Sequence, residues 1–132
     1  MDVSTETGVC VLIVEDDDDF RGMLSEFLAT MGHHVLEAAD LHQALERATA
    51  NNWDIAMIDL HLPGVDGCEV ARCLRAGDQG RSRRLVALTG FSDPATRFAA
   101  HAAGFDEFIV KPVYPEQLIK ILQGCRVDRD SA

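Results

Sequence analysis

Five short apolar runs alternate with five amphipathic stretches along this chain, and that alternation narrows the fold more than any other feature. The runs cover residues 9–14, 34–38, 55–58, 85–88 and 107–110. The first, third and fourth are continuously apolar, the pattern of strands buried on both faces of a parallel sheet. The second and fifth are weaker and suit the sheet edges. Strict strand–helix alternation with short loops implies a doubly wound α/β domain, with helices on both faces and right-handed crossovers. The order 2-1-3-4-5 puts the weak strands outside; close permutations satisfy the pattern as well.

The helix signals agree with this plan. Phe20, Met23, Leu24, Phe27, Leu28 and Met31 recur at helical spacing and predict one apolar face. Asp17 or Asp18 caps the start of that helix, and Gly32 stops it. Asp40, with Gln43 three residues on, opens the second helix as a capping box, and Leu41, Ala44, Leu45 and Ala48 face inward. The third helix runs from about Asp66 to Ala76 on Val70, Ala71 and Leu74, and Gly77 ends it. Asp93-Pro94 opens the fourth and Gly104 closes it. Pro115 opens the fifth, on Leu118, Ile121 and Leu122. Residues 77–84 are a polar loop whose Arg81, Arg83 and Arg84 are expected to be solvated and distant from Asp59. The domain is expected to span 9–125, between a polar tail at 1–8 and a charged tail at 126–132.

Composition removes several function classes. A chain of 132 residues that is 47% hydrophobic can bury a core, so disorder is excluded. A net charge of −10 disfavours direct nucleic-acid binding. No apolar run is long enough to span a bilayer, and the first residues are acidic and polar rather than signal-like, so a cytoplasmic protein without membrane contact is expected. The four cysteines lack zinc-ligand or disulfide-framework spacing and read as buried or half-buried thiols.

Parallel strands point their carboxyl ends the same way. Glu15 and Asp16, Asp59, Thr89 and Lys111 each follow or end a different predicted strand, so they converge on one rim. Clustered carboxylates repel unless a cation sits among them. Oxygen ligands on an open rim suit Mg²⁺, with waters completing the shell. A metal, an amine and a hydroxyl around a carboxylate suit a phosphoryl group. Asp59, alone on the central strand, is then the nucleophile; Glu15 and Asp16 hold the metal.

The segments Leu12-Ile13-Val14-Glu15-Asp16, Asp59-Leu60-His61-Leu62-Pro63-Gly64-Val65-Asp66-Gly67, Ala87-Leu88-Thr89-Gly90 and Phe108-Ile109-Val110-Lys111-Pro112 resemble the receiver domains of two-component response regulators. The resemblance covers roughly residues 9 to 124. It implies a flavodoxin-like five-stranded fold of order 2-1-3-4-5, with Asp59 as phosphoacceptor, Glu15 and Asp16 as the acid pair, Thr89 as switch hydroxyl and Lys111 as phosphoryl-binding lysine. It also implies a backbone carbonyl of His61 on Mg²⁺, a cis Lys111-Pro112 bond and Phe108 as the aromatic switch. The implied donor is a sensor histidine kinase or phosphotransfer protein; the downstream protein partner is not specified. Residues Ala87-Leu88-Thr89-Gly90-Phe91 and Ala103-Gly104-Phe105-Asp106 are similar to receivers fused to hybrid sensor kinases. With no output domain expected after residue 124, the chain reads as a single-domain regulator or an excised receiver.

Other chemistries fit less well. An Mg²⁺-dependent aspartate-nucleophile phosphatase places a second Asp two residues after the nucleophile, where this chain has His61. A flavin phosphate would be repelled by residues 15–19, and no receiver motif position carries an incompetent residue. His61 and Phe91, each two residues beyond a motif residue, are expected to rim the phosphoryl group from opposite sides.

Overall fold

A computed structural model describes residues 8–77 and 83–131, with side chains through Cys125. Residues 1–7 of the expected polar tail, and Arg81, lie outside the described residues. The elements are β1 (Cys10–Val14), α1 (Asp18–Thr30), β2 (His34–Ala38), α2 (Leu41–Ala50), β3 (Ile55–Asp59), α3 (Gly67–Ala76), β4 (Arg84–Thr89), α4 (Pro94–Ala103), β5 (Glu107–Val110) and α5 (Pro115–Ser131). The five strands form one parallel sheet of order β2-β1-β3-β4-β5, with the two weaker strands at its edges.

Period-2 alternation builds a core on each face of that sheet. Leu12, Val14, Ala56, Ile58, Leu85 and Ala87 point toward α2, α3 and α4. Val11, Ile13, Ile55, Met57, Val86 and Leu88 point the other way, toward α1 and α5. Every residue of β3 is buried, as its unbroken apolar run requires.

The caps follow the local chemistry. Asp17 accepts from the Asp19 and Phe20 amides, Asp66 from Cys68, and Asp93 from Thr96 with Pro94 at the first helical position. Asp40 accepts from Gln43, whose side chain returns to the Ala39 amide, one residue short of the usual reciprocal bond. Gly104 closes α4 at φ 108, a left-handed position that glycine adopts without strain. The Lys111-Pro112 bond is cis.

Several expectations are corrected. Pro63-Gly64 is the tip of a small antiparallel hairpin, His61–Leu62 against Val65–Asp66, which the alternating plan omitted. Met23 and Met31 are 57% and 39% exposed, and Leu45 is 36% exposed. The sheet covers only a narrow arc of α1, centred on Leu24 and Leu28, so the flanks of the predicted stripe stay in water. Arg83 and Arg84 are half-buried rather than solvated. The Arg83 guanidinium lies 4.6 Å from the Trp53 ring centroid and donates to the Trp53 carbonyl. Helix α5 runs through Ser131. Cys68 and Cys125 are buried, and Cys10 and Cys73 half-buried.

Candidate functional site

The carboxyl ends of the strands bring distant residues together because parallel strands share a direction. Asp59 is the last residue of β3 and is 5% exposed; Glu15, just past β1, is 2% exposed. Asp16 beside it is open to solvent. Carboxylate oxygens of Glu15, Asp16 and Asp59 all lie within 4.8 Å of one another. The Lys111 ammonium, just past β5, reaches between two of them, 3.1 Å from Glu15 Oε1 and 3.2 Å from Asp59 Oδ2.

The two buried acids are each aimed by a backbone amide. The His61 amide donates to Asp59 Oδ1 at 2.9 Å, and the Asp17 amide donates to Glu15 Oε2 at 3.2 Å. Burial raises the Glu15 pKa above its ordinary value, and the neighbouring Asp59 charge adds to this, against the Asp17 and Lys111 hydrogen bonds. Burial pulls the Lys111 ammonium down, but Glu15 and Asp59 outweigh it and its pKa is raised. Lys111 therefore stays charged at neutral pH. One ammonium against three acids leaves the rim anionic.

That donor set fits Mg²⁺. All the offered atoms are carboxylate oxygens, hard ligands, and the exposed Asp16 edge admits the waters that this ion retains.

Thr89, fully buried at the end of β4, joins the rim through its backbone: its carbonyl accepts from the Lys111 amide at 2.7 Å. Its hydroxyl accepts from the Phe91 amide at 3.1 Å and lies 3.5 Å from His61 Nδ1. The His61 and Phe91 rings meet at 5.0 Å between centroids, tilted by 56°. They touch one another, so they form a single aromatic wall. Phe108 is half-buried, and the Arg97 guanidinium of α4 lies 4.5 Å from its ring centroid.

Three contributors were not singled out from the sequence. Gly67 packs against the strand end so closely that an added Cβ would sit 2.3 Å from the Asp59 carbonyl oxygen. A glycine at the first helical position after an Asp cap, where Pro is favoured, was its available signal. Phe20 puts its ring 4.8 Å from Lys111 Nζ, and Arg21 binds the Glu15 carbonyl at 2.7 Å. Both sit on α1 and read as ordinary helix residues.

The family model for the response regulator receiver domain matches residues 11–123. The chain is 31% identical to the transcriptional regulatory protein ResD of Bacillus subtilis over 119 residues, 90% of this chain and 48% of that protein. It spans about half the length of the curated relatives it matches. Among solved structures, it resembles the chemotaxis protein CheY4 of Vibrio cholerae, at 31% identity and a TM-score of 0.84, over 89% of this chain and 98% of that one. It also resembles the receiver domain of the sensor histidine kinase PA1611 of Pseudomonas aeruginosa, solved with magnesium in its active-site cleft. That match has 30% identity and a TM-score of 0.80, over 90% of this chain and 98% of that one.

Proposed function

Since the chain belongs to the response-regulator receiver family, we propose that Asp59 accepts a phosphoryl group from a phosphohistidine donor in an Mg²⁺-dependent reaction, switching the face that carries α4 and β5. Receiver domains are phosphoacceptors rather than enzymes acting on a separate substrate, and the acid cluster here is arranged for Mg²⁺-dependent phosphoaspartate chemistry. The observation that carries the reading is the buried Asp59 carboxylate, alone at the end of the central strand, with Lys111 Nζ at 3.2 Å and two further acids beside it. A sensor histidine kinase or phosphotransfer protein is the donor.

In this reading an Asp59 oxygen bonds to phosphorus as the P–N bond breaks, and the electron pair leaves with the donor imidazole. Glu15, Asp16, Asp59 and the His61 carbonyl would hold Mg²⁺, which would supply positive charge to the phosphoryl oxygens. Lys111, already between Glu15 and Asp59, moves its charge onto the transferred group. The His61 amide keeps the Asp59 carboxylate oriented for attack. Thr89 turns its hydroxyl from the Phe91 amide toward the phosphoryl group, and Phe108 follows into the space released.

Acetyl phosphate with Mg²⁺ tests this on the intact chain. Mass spectrometry should show one phosphoryl group added to wild type and none to Asp59→Asn. Label persisting on Glu15 or Asp16 in that variant would overturn the assignment. Continuous release of phosphate without a stoichiometric adduct would favour the phosphatase alternative.

A further inference from the structure

We propose that Arg21 is a positioning residue for the metal site, holding the Glu15–Asp16 peptide so that the Asp16 carboxylate faces the ion; this rests on the reading of the acid cluster as an Mg²⁺ site. Asp16 needs such help. Its side chain is exposed, and it has no hydrogen-bond or ion-pair partner among the described residues. Glu15 and Asp59, by contrast, are each fixed by a backbone amide and by Lys111. Only the backbone can aim Asp16.

The Glu15 carbonyl belongs to the same rigid plane as the Asp16 amide, so whatever holds that oxygen sets the direction in which the Asp16 side chain leaves the chain. Arg21 Nη1 donates to that oxygen at 2.7 Å. The guanidinium is itself pinned, with Nη2 on Asp18 at 2.6 Å and Nε on Glu37 of β2 at 3.1 Å. Ser25 holds the other Glu37 oxygen at 3.1 Å. The Arg21 side chain is only 16% exposed. Its three bonds leave in the fixed directions of a planar fork, which a lysine ammonium does not reproduce.

Charge and positioning predict opposite signs. A nearby cation opposes binding of a second cation, so if charge were all Arg21 supplied, neutralising it would tighten Mg²⁺. If Arg21 positions Asp16, losing it weakens Mg²⁺, and Arg21→Lys weakens it too despite the retained charge.

The test titrates Mg²⁺ alone into the metal-free full chain, by calorimetry, for wild type, Arg21→Met, Arg21→Lys and Phe27→Ala. Phe27→Ala loosens the same helix without touching the acid loop. Arg21→Met should raise the Mg²⁺ Kd roughly 10-fold or more, the usual effect of removing a group that orients a metal ligand. Arg21→Lys should also raise it, and Phe27→Ala should leave it unchanged. If circular dichroism shows Arg21→Met unfolded, Arg21→Lys decides. Unchanged or tighter binding in the folded arginine variants, or equal weakening by Phe27→Ala, would overturn the proposal. Wild type that binds no Mg²⁺ would instead overturn the metal reading beneath it.

Discussion

Replacing Gly67 by alanine should damage both stability and phosphorylation, through one steric contact. The new Cβ would lie 2.3 Å from the Asp59 carbonyl oxygen and 2.6 Å from Leu60 Cα. Merely reaching 3.0 Å from that oxygen requires a retreat of about 0.7 Å, the difference between those two distances. Both obstacles are main chain, so no rotamer change relieves them. The Gly67 amide also donates to the Leu60 carbonyl at 3.0 Å, tying the start of α3 to the next peptide along. Overpacking of this kind costs about 1–3 kcal/mol, and alanine's better helix propensity returns at most ~1 kcal/mol of it. The displaced atoms belong to Asp59 itself, whose carboxylate must keep its alignment with Lys111. A misplacement approaching 1 Å costs on the order of 100-fold in rate, so phosphorylation should slow by at least ~10-fold. Urea unfolding followed through the single, buried Trp53 gives the stability, and intact mass against time in acetyl phosphate gives the rate. Gly22→Ala is the contrast: in α1 its Cβ meets nothing within 4 Å, and it should stabilise by ~0.5–1 kcal/mol. A Gly67→Ala protein within about 0.5 kcal/mol of wild type that phosphorylates at the wild-type rate would refute the reasoning.

Further outcomes follow from the rim. The Glu15 carboxyl, raised by burial, binds its proton more tightly folded than unfolded, so metal-free stability should fall as pH rises from 4.5 through the raised value. Glu15→Gln should remove that component, and unfolding curves from pH 4.5 to 7 in chelator would show identical slopes for both proteins if the idea is wrong. Thr89→Ala should accept phosphate yet leave Phe108 unmoved, seen as no phosphorylation-dependent shift in the fluorine spectrum of fluorophenylalanine-labelled protein. Phe91→Ala should shorten the phospho-Asp59 lifetime more than His61→Ala does, on the proposal that the larger apolar ring hinders the in-line water. Decay of the phosphorylated mass after donor removal ranks the two.

The elements and their order were legible in the sequence because they rest on short-range signals. Unbroken apolar runs marked strands buried on both faces, Asp17, Asp40, Asp66 and Asp93 marked helix starts, and weak runs marked the sheet edges. Much of the candidate site was legible for the same reason. Once the strands are parallel, whatever ends them shares a rim, so Glu15, Asp59, Thr89 and Lys111 could be placed together although Lys111 and Glu15 stand 96 positions apart. Local pattern could not say how far each neighbour reaches across that rim. The outward flank of α1 at Met23, the aromatic wall made by His61 and Phe91, and the Arg83 contact on Trp53 depend on the spacing between packed elements. The same holds for Gly67 against the Asp59 peptide and for Arg21 on the Glu15 carbonyl. Periodicity reports which face of an element turns inward, whereas distances of a few ångströms between side chains arise only when several faces pack at once.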